Sequence, residues 1–268
     1  IIKKSIINII TPIGIDHQEF LGKSILKIAN EKLGIIKKGS YVIISKQKKE
    51  IESHIRKKLI NKKNEKLFFN KEIKIIKKNK QTFVLKFKNT KSVHKIPLLR
   101  GDHQIENASI AIATILKLKE IGYFLNKNSI NSGILKTCWP GRLERGALKG
   151  IKVYLDGAHN IDGASQLLKY FVKKNKKVWL LIGMLNNKNI DDYLKKLKPI
   201  IKGVVAVSIP NEKNSFMPKE ICEACDKLKL ICFPQTSITK ANNFLSTKIK
   251  PKIILVTGSL YLVGKIRN

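Results

Sequence analysis

Five short polar segments interrupt a Lys- and Ile-rich chain of 268 residues, and each holds side chains that could do chemistry. Thr11-Pro12-Ile13-Gly14-Ile15-Asp16-His17 follows a β-branched run, so His17 stands in a loop at the exit of a strand. Ligands of α/β sheets bind at that end, although an ordinary loop histidine fits the same pattern. Lys32 follows fifteen positions later, inside Asn30-Glu31-Lys32-Leu33-Gly34. In Arg100-Gly101-Asp102-His103-Gln104-Ile105-Glu106-Asn107, Gln104 and Asn107 are three apart and share a helix face. Their amides pair donor with acceptor, which suits an adenine edge; capping of the helix by Asp102 reads equally well.

The remaining segments carry charge to places where an anion could bind. Pro140-Gly141-Arg142-Leu143-Glu144-Arg145 spends two Arg in a chain that holds only five, against 49 Lys. A planar guanidinium binds phosphate through two parallel bonds where Lys offers a point charge; the alternative is a structural pair of Arg142 with Glu144. Leu155-Asp156-Gly157-Ala158-His159-Asn160 sits between strand and helix, where Asp156 could hold ribose hydroxyls or cap the helix. Thr257-Gly258-Ser259 opens the last helix, where free N–H groups could take a carboxylate or Ser259 could simply cap.

The formal charge of +35 points at first to nucleic acid. The composition argues otherwise. Ile outnumbers Ala 42 to 10 and Asn reaches 21, the signature of A/T-rich codons, and the Lys are spread along the whole chain without a basic stripe. The expectation is solvated surface charge and no nucleic-acid partner. No apolar run approaches the roughly 18 residues of a membrane helix. Four Cys are too few for a disulfide framework, and Cys222 and Cys225 form a CxxC on a helix-like stretch with no His nearby. Buried free thiols and a cytoplasmic location are expected. The chain begins Ile1-Ile2-Lys3-Lys4, directly before a strand-like run, so a piece of a longer protein is expected.

The elements that must position these residues fall into two rhythms. The first half predicts a strand at 6–10, a helix at 24–34, a strand at 41–45 and a charged helix at 46–63 with a thin face of Ile51, Ile55 and Leu59. Between 67 and 98 the period drops towards two, with Phe83, Leu85 and Phe87 alternating, which predicts antiparallel strands. Helices follow at about 104–121 and 128–137. From 153 onward strands alternate with helices through Ser259, the pattern of a doubly wound parallel α/β sheet. The break falls at Trp139-Pro140-Gly141, giving domains at 1–138 and 150–268 with a linker at 139–149.

Together and in this order the segments resemble the folylpolyglutamate synthase and dihydrofolate synthase branch of the Mur ligase superfamily. The resemblance runs end to end. It rests on Ile13-Gly14-Ile15-Asp16-His17 with Phe20-Leu21-Gly22, on Ala29-Asn30-Glu31-Lys32-Leu33-Gly34, and on Gly101-Asp102-His103-Gln104 with Asn107-Ala108. Pro140-Gly141-Arg142-Leu143-Glu144, Asp156-Gly157-Ala158-His159-Asn160 and Thr257-Gly258-Ser259-Leu260-Tyr261 complete it. His103-Gln104 and the final Thr-Gly-Ser-Leu-Tyr favour the folate branch over cell-wall ligases. Ile161, where the family usually has Pro, is a mild departure, as is Lys38, where Pro often precedes Gly39.

The resemblance implies the end of an ATPase domain followed by a Rossmann-like C-terminal domain. The implied enzyme is a monomeric ligase that uses ATP and Mg2+ to join L-glutamate to dihydropteroate or a folate through an acyl phosphate. It makes His17 a metal ligand, Lys32 a carbamylated catalytic residue, Asn107 an adenine contact and Gln104 a further ATP-binding residue. Arg142 would meet the phosphates and Asp156 the ribose. His159 would lie near glutamate or nucleotide, with Ser259 on the amino-acid side. No G-x-x-x-x-G-K-[ST] phosphate loop occurs in the 268 residues. The family places that loop upstream, so the chain by itself is expected not to catalyse. A non-catalytic relative and a basic nucleic-acid-binding protein are the rival readings.

Overall fold

A computed structural model describes residues 3–15, 24–124 and 126–267; Asp16, His17 and Phe20-Leu21-Gly22 lie outside them. The chain divides into two compact units, residues 1–98 with 102–138, and residues 99–101 with 139–268.

The first unit holds a parallel sheet in the order β1-β2-β3, from β1 (Ile7–Ile10), β2 (Tyr41–Ile44) and β3 (Lys66–Phe68). Helices α1 (Ile25–Leu33) and α2 (Lys49–Leu59) link these strands. Each helix buries one stripe, Ile28, Ala29 and Leu33 on α1 and Ile51, Ile55 and Leu59 on α2, against Ile10, Val42, Ile44 and Phe68. A second core joins Ile43 and Leu67 to the antiparallel sheet β4 (Ile73–Lys78), β5 (Thr82–Phe87) and β6 (Thr90–Lys95). Phe83, Leu85 and Phe87 on β5 face that core, as their alternation requires. Helices α3 (Asp102–Glu120) and α4 (Lys127–Lys136) add Ile105, Ile112 and Ile130 to it. Lys66–Phe68 departs from the antiparallel reading of 67–98. It pairs parallel with β2, because Leu67 and Phe68 are buried on opposite faces of a covered sheet. Lys117 on α3 is not a solvated charge: it is 4% exposed and pairs with Glu65 at 2.7 Å and Glu120 at 3.1 Å.

The second unit is a doubly wound sheet in the order β11-β10-β9-β12-β8-β7. Its parallel strands are β8 (Ile151–Leu155), β9 (Val178–Ile182), β10 (Ile201–Ala206), β11 (Cys232–Pro234) and β12 (Ile253–Thr257). Helices α5 (Ile161–Lys173), α6 (Ile190–Leu197) and α7 (Pro218–Lys227) cover one face, through Leu167, Phe171, Tyr193, Leu194 and Ile221. Helices α8 (Ile238–Phe244) and α9 (Leu260–Arg267) cover the other, through Ala241, Leu262 and Val263. Within the stretch expected as a linker, Glu144–Leu148 forms β7, an antiparallel edge strand paired with β8. The two strands are joined by Lys149 and Gly150, both at positive φ (46° and 81°), the tight two-residue connection that suits strand twist. Glu144-Arg145-Gly146-Ala147 lacks the β-branched residues that announce a strand.

The thiols also depart from expectation. Cys222 on α7 is bonded to Cys232 on β11, with Cα atoms 5.3 Å apart, because the turn after α7 brings the edge strand back beside the helix. Cys225 is a buried free thiol, pushed up to about 12 by burial and then by the neighbouring Asp226. Cys138 is free but exposed. Among the described residues no helix is long and apolar enough to cross a membrane.

Candidate functional site

In the second unit, three loops meet at the carboxyl ends of β8 and β12, where open α/β sheets bind ligands. They are the turn 140–144, the loop 156–160 after β8, and the loop 257–259 after β12. Backbone bonds weave them together. The Gly157 N–H donates to the Gly141 carbonyl at 2.9 Å, and the Gly258 N–H donates to the Ala158 carbonyl at 2.9 Å. Beneath them the buried Tyr193 hydroxyl meets Thr257 Oγ1 at 2.6 Å. The arrangement brings Arg142, Asp156, His159 and Ser259 to one end of one sheet.

Asp156 is the knot of this region. Its Oδ2 accepts the Leu143 N–H and its Oδ1 the Ala158 N–H, both at 2.9 Å. It therefore joins the turn to its own loop and does not cap α5. That cap is Asn160, whose side chain accepts the Gly163 N–H. Burial pushes the Asp156 carboxyl above its ordinary range, against the two N–H groups and the charge of Arg142 and His159. Each oxygen keeps a further lone pair for a hydroxyl.

His159 is half-buried, and its Nδ1 lies 2.9 Å from the Gly157 carbonyl. A carbonyl can only accept, so Nδ1 carries the proton in that bond. Ser259, 4% exposed, accepts the Tyr261 N–H at 3.0 Å and caps α9. Arg142 is half-buried and close enough to Asp156 to act on its carboxyl. It does not pair with Glu144. That carboxylate accepts the Gly141 N–H at 2.9 Å and Arg267 Nε at 3.0 Å. Burial raises Glu144, but those two donors outweigh it and hold the carboxyl below its usual range. Arg267 is the member of this region that reading the sequence missed; nothing in its spacing ties it to position 144.

Gly258 shows how tightly the third loop is drawn. Its φ is +102°, and a Cβ there would stand 2.6 Å from the Gly183 carbonyl oxygen. Gly258→Ala is expected to cost about 1–3 kcal/mol from backbone strain; a urea titration of the intact protein, read as a fall in midpoint, checks it.

In the first unit, Gln104 is 8% exposed, and its Oε1 accepts Asn107 Nδ2 at 3.2 Å. Its Nε2 lies 3.0 Å from His103 Nε2. The two amides thus sit together on the first turns of α3, as their spacing requires. Asp102 pairs with Lys78 at 2.9 Å. Lys32 lies in the last turn of α1, half-buried and flanking the apolar stripe of Ile28, Ala29 and Leu33. His17 lies outside the described residues. Among those described, no group of three or more His, Cys, Asp or Glu is placed to hold a metal ion.

Comparison with known proteins bears on both units. Residues 3–115 match the Mur ligase middle domain, and residues 141–260 match the Mur ligase glutamate ligase domain. The dihydrofolate synthase/folylpolyglutamate synthase of Bacillus subtilis is 28% identical across 98% of this chain and 62% of its own length. The chain therefore spans about three fifths of that relative. Folylpolyglutamate synthase of Mycobacterium tuberculosis, solved with ADP and AMPPCP, shares the fold with a TM-score of 0.84. It is 23% identical over 97% of this chain and 63% of its own. FolC of E. coli, solved with DHPP and ADP, superposes with a TM-score of 0.83 at 23% identity, covering 97% of this chain and 60% of that one.

Proposed function

The chain belongs to the Mur ligase family, with that family's middle and glutamate ligase domains in order, and on that premise we propose that it is the larger part of a folate ligase. The reaction joins L-glutamate to dihydropteroate, to a folate polyglutamate, or to both. The γ-phosphoryl of ATP passes to the acceptor carboxylate, giving an acyl phosphate and ADP. The glutamate amine attacks the acyl carbon and loses a proton, and phosphate leaves as the amide forms. The observation that carries this reading is the convergence of Arg142, Asp156 and His159 at one sheet end. It is supported by relatives that bear the synthase names and by similar structures that hold ADP.

In this reading Arg142 takes the phosphates, Asp156 the ribose, and Gln104 and Asn107 the adenine. His159 and Ser259 serve the glutamate side. The guanidinium of Arg142 at this sheet end suits an anionic nucleotide. Magnesium, which neutralises phosphate charge when bound, would have His17 as a ligand. Lys32, carbamylated, would turn a cation into an anion beside it. The enzyme is read as a cytoplasmic monomer, and its Lys, Lys117 apart, as surface charge with no nucleic-acid partner.

The test is product formation by the full-length protein with ATP, L-glutamate and either dihydropteroate or tetrahydrofolate. ADP release that requires both glutamate and a pterin, with a glutamylated product by mass spectrometry, is the expected result. No glutamylated product, together with tight salt-sensitive binding of a DNA duplex, would replace the ligase by a nucleic-acid-binding protein.

A further inference from the structure

The turn that carries Arg142 is held in a conformation it would not keep unaided. Gly141 has φ +68°, and a Cβ there would lie 3.1 Å from Val263 Cγ1 and 3.2 Å from Leu260 Cδ2 of α9. Leu143, a branched residue, sits at φ +48°, a left-handed backbone that side chains with a Cβ rarely adopt. Four bonds hold the turn: Gly157 N–H to the Gly141 carbonyl, Leu143 N–H to Asp156, Gly141 N–H to Glu144, and Arg100 Nη1 to the Leu143 carbonyl at 3.4 Å. The first two come from the loop after β8. The third depends on Glu144, and Glu144 is oriented from outside the turn by Arg267 Nε at 3.0 Å.

The surroundings give this pair its leverage. The first half of α9 packs firmly, with Leu262 and Val263 buried. Its end packs less closely: Ile266 is only partly buried against the same core, and Ile266, Arg267 and Glu144 line a cavity of about 250 Å³ over Val153, Leu155 and Val256. At that end the ion pair adds a tie from the helix to the turn. The pair is also partly exposed, 49% at Arg267 and 29% at Glu144, so it adds little to global stability. Its bonds fall instead on the backbone of the residue that precedes Arg142.

We infer that Arg267, acting through Glu144, is a positioning residue for Arg142, and that the end of α9 thereby sets the geometry of the phosphate-binding turn. The inference rests on the reading of Arg142 given above. Arg267 touches no reacting atom in it. Three of the chain's five Arg then bear on this turn, Arg142 by contact and Arg267 and Arg100 by bracing.

The test compares Arg267→Met, Arg267→Lys, Glu144→Gln and the Arg267→Met/Glu144→Gln double variant in the full-length protein. Arg142→Lys is run alongside. Amide hydrogen exchange at Gly141 reads the tether without reference to activity, and ligase assays read its consequence. Arg267→Met is expected to speed exchange at Gly141 and to lower kcat by about tenfold, with KM for glutamate changed less than about twofold. Its thermal midpoint should match the parent. Glu144→Gln should do the same and the double variant no worse, since both remove one interaction. Arg267→Lys, which keeps a cationic donor, should recover most of the turnover. Unchanged exchange at Gly141, or losses that add in the double variant, would overturn the proposal. Full turnover in Arg267→Met beside a crippled Arg142→Lys overturns the tether alone; full turnover in Arg142→Lys overturns the parent reading, and the tether's role with it.

Discussion

Arg142→Lys in the full-length enzyme is expected to lower turnover by a factor corresponding to about 2–4 kcal/mol, while glutamate binding changes little. The chain itself argues that a guanidinium matters here. It uses Lys for 49 of its 54 basic residues, yet keeps Arg in the turn after Pro140. A guanidinium gives the transferring phosphoryl group two parallel donors in a fixed plane, whereas an ammonium supplies one point charge on a flexible stem. Only contacts that strengthen as charge develops on the phosphoryl oxygens raise kcat, which is why the loss should appear there and not in KM. Steady-state kinetics with saturating ATP separate the outcomes. Unchanged turnover makes Arg142 structural, and a loss confined to glutamate affinity moves it to the other substrate. The side chain is half-buried and lies near Asp156. Lys at this position keeps the charge beside that carboxyl, so a folding defect is not expected to mimic the result.

The parts of this protein that could be read from its sequence are those written in local pattern. The alternation of Phe83, Leu85 and Phe87 and the stripe of Ile51, Ile55 and Leu59 reach the cores that their periods demand. The candidate site stood out for a compositional reason. Against a background of Lys, Ile and Asn, Arg142, Asp156 and His159 are rare residue types, and the turn before β7 and the loop after β8 bring them to one end of the sheet. What escaped was everything decided by a partner far along the chain. Arg267 meets Glu144 across 123 positions, and Lys117 meets Glu65 across 52. Cys222 joins Cys232, ten residues on, and not the Cys225 of its own helix turn. In each case the spacing is silent, because the contact is made by the packing of elements and not within one. β7 was missed for the opposite reason. Its local pattern is poor in strand formers, and the hairpin with β8 supplies the order that propensity does not.

Lys32→Ala and Lys32→Arg are both expected to abolish activity of the full-length enzyme, with acetate or formate partly restoring the Ala variant. The argument starts from the helix. Lys32 stands in the last turn of α1, where Ile28, Ala29 and Leu33 anchor the buried stripe and hold its Cα against the sheet core. It is half-buried, in a chain whose Lys are otherwise mostly solvated. An ammonium beside a magnesium ion would repel the metal and weaken its binding. Once the ammonium has given a proton to solvent, its amine nitrogen adds to carbon dioxide and releases a second proton, leaving a carbamate anion whose oxygens would suit a hard cation and its waters. An Ala variant leaves a space that a small carboxylate can enter, bringing back both the charge and the oxygens. An Arg variant cannot be carbamylated and keeps the wrong sign, so it should not be rescued. Assays in bicarbonate-depleted buffer, with and without acetate or formate, measure each step. Full activity in Lys32→Arg would mean that positive charge suffices, and the carbamate would have to be abandoned.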